Sequence, residues 1–118
     1  SWPDPKFPKY FNVVIEISTH LNPLKLFNLC KEIEVLLGRK KTSKNSPRKC
    51  DIDIIDYNKK KNTKGKIILP HPRMHVRNFV LFPLFELNKH WKHPILKHNI
   101  KNLILSLPNS DIRTIKQI

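Results

Sequence analysis

The period of apolar and polar positions changes several times along the chain, and each change marks an element. From Tyr10 to Ser18 the pattern alternates well. Phe11, Val13, Ile15 and Ile17 fall on one face and Tyr10, Asn12, Val14 and Glu16 on the other, which predicts a strand with one core side. Leu26, Cys30, Ile33 and Leu37 then recur at helical spacing behind Asn22 and Pro23, with Gly38 as the stop, so a helix is expected over Pro23 to Leu37. A basic loop from Arg39 to Lys49 leads into a second alternating stretch around Arg48 to Asp56, and Lys66 to Leu69 reads as a further short strand. Pro70-His71-Pro72 ends that strand. A turn or short helix is expected near Met74 to Asn78, followed by apolar runs Phe79 to Phe82 and Leu84 to Leu87 broken by Pro83. A last helix over about His98 to Leu107 is closed by Pro108, with a terminal strand over Ile112 to Ile115. Short connections between interleaved strands and helices predict an α+β fold with a mainly antiparallel sheet, residues 1–118 forming a single domain.

Composition narrows the functional classes. Lys and Arg number 23 against 9 Asp and Glu, a formal charge of +14, so the partners expected are polyanions: nucleic acid, an anionic membrane surface or nucleotide phosphates. Basic residues show no aromatic interleaving of the kind used by RNA-binding sheets. No apolar run approaches the ~18 residues needed to span a bilayer. Cys30 and Cys50 lie in apolar patterns, where a free thiol acts as a small hydrophobe, and a reducing, cytoplasmic setting is expected. Glycine is confined to Gly38 and Gly65, which excludes a Walker or dinucleotide fingerprint. His75, His90, His93 and His98 lack the spacing of zinc ligands.

The candidate chemistry centres on Asp51 and Asp53. In an extended segment these two carboxylates project from one face while Cys50, Ile52 and Ile54 occupy the other. Paired carboxylates raise each other's pKa unless a cation neutralises them, and Mg²⁺ takes one or two carboxylates together with phosphate oxygens. Arg48 precedes the pair, and the loop holding Arg39 and Lys41 delivers further positive charge, a combination suited to phosphoryl-type transfer. His71, held between Pro70 and Pro72 on a stiff backbone, suits a fixed contact to a phosphate or a base.

Two long motifs carry a family resemblance. Asn45-Ser46-Pro47-Arg48-Lys49-Cys50-Asp51-Ile52-Asp53-Ile54 resembles the x-x-P-R-x-x-D-[LI]-D-[LI] signature of 6-hydroxymethyl-7,8-dihydropterin pyrophosphokinase, and the stretch from Leu69 to Leu87 resembles that family's second signature, built around P-H-P-R and F-V-L-x-P-L. Pro8-Lys9-Tyr10-Phe11-Asn12 is similar to its upstream P-x-[YF]-x-N. The resemblance implies a ferredoxin-like antiparallel sheet packed with helices. It also implies a strand-helix-strand unit with a Gly-Ser-Asn motif ahead of Ser1, so that the chain is expected to be the N-terminally truncated, C-terminal three quarters of such a domain.

By the same resemblance Asp51 and Asp53 would bind two Mg²⁺ ions, with ATP as co-substrate. Arg39 and Arg48 would act on the triphosphate during transfer, and Glu34, Lys41, Arg48, Ile54, Lys66, His71 and Arg77 would line the ATP site. Trp2, Tyr10, Asn12 and Phe79 would hold the pterin, Tyr10 and Phe79 by stacking on both faces of its ring. The implied reaction moves the diphosphate of ATP to 6-hydroxymethyl-7,8-dihydropterin and releases AMP, in folate biosynthesis, with the enzyme a cytoplasmic monomer that binds neither nucleic acid nor membrane. Lys41 and Lys66 stand where the family carries arginines, and Lys31 where a glutamine is frequent; a lysine keeps the charge but lacks the bidentate fork, so less oriented ATP binding is expected. The alternatives are an inactive fragment of the enzyme and a basic nucleic-acid-binding domain.

Overall fold

The structure, a computed structural model, describes residues 12–38 and 50–108, in the order α1 (Pro23–Leu36), a short 3₁₀ turn (Met74–Val76), α2 (Asn78–Leu87) and α3 (Ile100–Leu105). The predicted terminal strand, and Trp2, Tyr10, Arg39, Lys41 and Arg48, lie outside the described residues. Two compact units are distinguished, and each is described by itself.

One unit holds α1 and the segment that carries the acidic pair. α1 begins as its sequence predicts: the Asn22 side chain accepts from Lys25 N at 2.9 Å, and Pro23 occupies the first turn, where its missing N–H costs nothing. The helix ends with Leu37 N donating to Ile33 O and Gly38 N to Val35 O, and Gly38 adopts φ 109°, a region that a Cβ disfavours. Its buried stripe is Leu26, Cys30 and Glu34, spaced four residues apart. Leu37, expected on that stripe, is 47% exposed instead, because Glu34 takes the inward position of the last full turn. Leu69 and Met74 complete the apolar core of this unit, and a buried His93 shapes its last segment by accepting at Nδ1 from Ile95 N and Leu96 N, at 3.1 and 3.0 Å.

The other unit pairs α2 with α3. The break expected at Pro83 does not occur: α2 runs through it. An interior proline costs a helix about 3 kcal/mol, but Val80, Leu81 and Leu84 are buried along one side, and burial of such side chains stabilises by roughly 1.5–3 kcal/mol each. Packing therefore outweighs propensity here. α3 is shorter than the span expected from the sequence; Asn99 caps it by accepting from Asn102 N at 2.8 Å, and its Ile100 and Leu103, together with Trp91 and Leu107, are buried in the core of this unit.

The ferredoxin-like antiparallel sheet is not found among the described residues. Among the described residues, antiparallel pairing is limited to two single bridges, Asn62 with Leu69 and Lys92 with Asn99. The predicted strand ending at Ser18 has no ladder over its described part, and Val13, Ile15 and Ile17, expected to face a core, are 77%, 71% and 56% exposed. The Asp51/Asp53 segment and Lys66 to Leu69 likewise form no strand. Alternation specifies which side chains could share a face, but a sheet requires a neighbouring backbone to accept the ladder hydrogen bonds. In the acidic segment some of those bonds go instead to a side chain of α1 and to the turn at His71.

Candidate functional site

The acidic segment shows how local structure presents charge. Asp51 and Asp53 are exposed, whereas Ile52 and Ile54 between and after them are half-buried, the alternation that the sequence predicts even without a ladder. Hydrogen bonds at Ile52 and Ile55 tie the backbone. Ile52 N donates to Glu34 Oε2 at 2.6 Å, and Ile55 O accepts from His71 N at 2.9 Å.

Glu34 is 2% exposed, and its other oxygen accepts from Lys31 Nζ at 3.3 Å. Lys31 also lies over the Phe27 ring, 5.2 Å from its centroid. A buried carboxylate needs such partners, since an isolated buried charge is strongly disfavoured. Beside it, burial and the Glu34 charge push the Cys30 thiol above its ordinary pKa, with Lys31 opposing.

His71 is oriented by its own turn. Its Nδ1 accepts from Arg73 N at 3.2 Å, so in the neutral ring the proton sits on Nε2, and Nε2 lies 4.0 Å from Asp53 Oδ2. The Leu69-Pro70 peptide just before it is cis. Lys66 is exposed in the turn closed by the Asn62–Leu69 bridge, where Asn62 Nδ2 donates to Ile67 O at 2.7 Å and Gly65 takes φ 95°. Asp51, Asp53, Ile54, Lys66, His71 and Glu34 thus belong to one unit. Elsewhere on it, burial lowers the Lys59 pKa while Asp56 raises it.

Arg77 and Phe79 belong to the other unit, at the start of α2. Arg77 is the N-cap, and its guanidinium lies 5.5 Å from the Phe79 ring centroid, a cation–π contact that orients a ring still 42% exposed. Asn12 is exposed on this unit.

The donor set of the acidic segment fits Mg²⁺. Asp51 and Asp53 supply hard carboxylate oxygens from the exposed side of one segment, with a lysine and a histidine in the same unit. The contact that sequence reasoning missed is Glu34 on the Ile52 amide. The four-residue spacing of Leu26, Cys30 and Glu34 is visible in the chain, but only the structure shows that this stripe faces inward, where a carboxylate requires a specific partner.

The chain matches the 7,8-dihydro-6-hydroxymethylpterin-pyrophosphokinase family over residues 1–89. It is 42% identical over 79 residues to a 2-amino-4-hydroxy-6-hydroxymethyldihydropteridine pyrophosphokinase of Bacillus subtilis, covering 67% of this chain and 47% of that protein. To the protein of the same name from Synechocystis it is 34% identical over 100 residues, 85% of this chain and 51% of the other. A folic acid synthesis protein of Dictyostelium discoideum is 39% identical over 100 residues, 85% of this chain but 15% of the relative. The chain thus spans about half the length of these bacterial relatives.

Proposed function

We propose a function from one premise: the chain belongs to the 7,8-dihydro-6-hydroxymethylpterin-pyrophosphokinase family. It is an ATP-dependent diphosphotransferase of folate biosynthesis. The hydroxymethyl oxygen of 6-hydroxymethyl-7,8-dihydropterin attacks the β-phosphorus of ATP, the bond between that phosphorus and the α-β bridging oxygen breaks, AMP leaves and the hydroxyl proton passes to solvent. Such a transfer depends on positioning and charge neutralisation more than on a strong base. Mg²⁺, held as two ions by Asp51 and Asp53, supplies neutralisation of the polyphosphate when bound. Lys66, His71 and Arg77 contact the nucleotide, Arg39, Lys41 and Arg48 its phosphates, and Glu34 and Ile54 line its site. Trp2, Tyr10, Asn12 and Phe79 hold the pterin. The protein acts as a monomer on small molecules, without nucleic acid or membrane. Free Cys30 and Cys50 accord with a reducing, cytoplasmic setting. Among the described residues no helix is long and apolar enough to cross a membrane.

The observation that carries this reading is the exposed Asp51/Asp53 pair within the matched residues 1–89. The nucleic-acid-binding alternative is not favoured, since it rests on charge alone, whereas the family match supports nucleotide-dependent transfer. The test is AMP release by this chain with Mg²⁺ and ATP, with and without 6-hydroxymethyl-7,8-dihydropterin. Pterin-dependent AMP is expected. Asp51→Asn and Asp53→Asn should each lower the rate by on the order of 10²-fold or more, the scale of losing one preorganised electrostatic element, with circular dichroism unchanged. Equal turnover in wild type and both variants would reject the metal role, and AMP release indifferent to pterin would reject the substrate.

A further inference from the structure

We infer that Glu34 is a positioning residue for the acidic pair: its buried carboxylate fixes the backbone between Asp51 and Asp53 and so sets where the two exposed carboxylates point. This rests on the reading of Asp51 and Asp53 as ligands of the metal–nucleotide complex, and gives Glu34 a role through the protein backbone in addition to its place in the lining of the ATP site.

The geometry is specific. Ile52 N belongs to the peptide plane that joins Asp51 to Ile52, and it donates to Glu34 Oε2 at 2.6 Å. A carboxylate acceptor at this distance makes a charge-assisted bond, about twice as strong as one between neutral groups. The second tie, His71 N to Ile55 O at 2.9 Å, holds the chain beyond Asp53. These two bonds and the half-burial of Ile52 and Ile54 restrict the rotation of the segment about its own axis. Since side chains at 51 and 53 share a side, a rotation there moves both carboxylates together.

The position itself argues against a packing role. Leu26, Cys30 and Glu34 form one buried stripe, and an apolar residue at the third place would pack without any desolvation cost. It would also leave Ile52 N–H without this acceptor. Lys31, with its side chain 43% exposed, offsets the charge at 3.3 Å but can swing into water, so it accompanies the contact and does not create it.

The experiment separates the acceptor from the charge and from turnover. Glu34→Leu keeps the approximate size and removes the acceptor; Glu34→Gln keeps a carbonyl acceptor for Ile52 N and turns its amide toward Lys31, which can move away. Binding of Mn²⁺ in the presence of ATP is read by electron paramagnetic resonance, and exchange of the Ile52 amide by NMR. Glu34→Leu should bind Mn²⁺ at least tenfold more weakly and lose protection at Ile52, and Glu34→Gln should restore both to within about threefold of wild type. Lost protection with Mn²⁺ binding within twofold of wild type overturns the inference, as does a Glu34→Gln chain that keeps Ile52 protected yet binds tenfold more weakly. The second comparison decides the matter alone if Glu34→Leu does not fold. Failure of the wild-type chain to bind Mn²⁺ with ATP would instead reject the reading of Asp51 and Asp53 as ligands.

Discussion

At the scale of a single side chain, Glu34 shows how a carboxylate is buried: it accepts hydrogen bonds from Ile52 N and Lys31 Nζ. Its neighbour Cys30 reports the same environment. Burial and the Glu34 charge raise the folded-state pKa of that thiol, so folding favours the neutral form. The resulting stability is fully present below the unfolded thiol pKa, about 8.5, and is lost as pH rises through the higher folded value. Urea unfolding should therefore show the difference between wild type and Cys30→Ala shrinking at alkaline pH. A difference that is constant from pH 7 to pH 10 would contradict the shift. Residue types and short spacings were enough to mark Asp51, Asp53 and His71 as candidates in the chain, and the structure places all three in one unit. The inward placement of Glu34 was not legible in this way, since a helix has several possible sides and the partner that selects one lies 18 residues on.

At the level of elements, the helices and the strands fared differently for a definite reason. The N-cap, first-turn proline and terminal glycine of α1 act within a few residues, and the structure reproduces them at Asn22, Pro23 and Gly38. Asn22→Ala should accordingly destabilise by about 1 kcal/mol, the usual worth of an N-cap side chain, measured by the urea midpoint at constant m-value; an unchanged midpoint would deny the cap any net contribution. α2 shows the limit of local signals, as Pro83 reads as a break and is overridden by burial of Val80, Leu81 and Leu84. The alternating segments show the other limit. Their periodicity is satisfied at Asp51 to Ile54 as a pattern of exposure, while the expected antiparallel sheet is absent from the described residues, because hydrogen-bond partners come from elsewhere in the chain.

For the whole molecule, charge is the leading influence. A formal +14 on 118 residues implies mutual repulsion that salt screens over a Debye length of about 8 Å at physiological ionic strength. Raising NaCl from dilute buffer to about 0.5 M should raise the midpoint of thermal unfolding and weaken the proposed ATP binding at the same time. A midpoint that falls with salt would mean that favourable ion pairs outweigh the repulsion. The same charge suits nucleotide phosphates as well as nucleic acid, and the ordered motifs around Pro47-Arg48 and Pro70-His71-Pro72-Arg73, together with the family match over residues 1–89, favour the first. By itself, then, the sequence determined family, charge, the helix α1 and the identity of the acidic pair, all of which depend on residue types and short spacings. Only the tertiary structure decided that Pro83 lies within a helix, that the acidic segment is tied to α1 and the His71 turn, and that Glu34 faces inward. Those outcomes depend on which distant group supplies a hydrogen bond or covers an apolar side, and local periodicity does not contain that information.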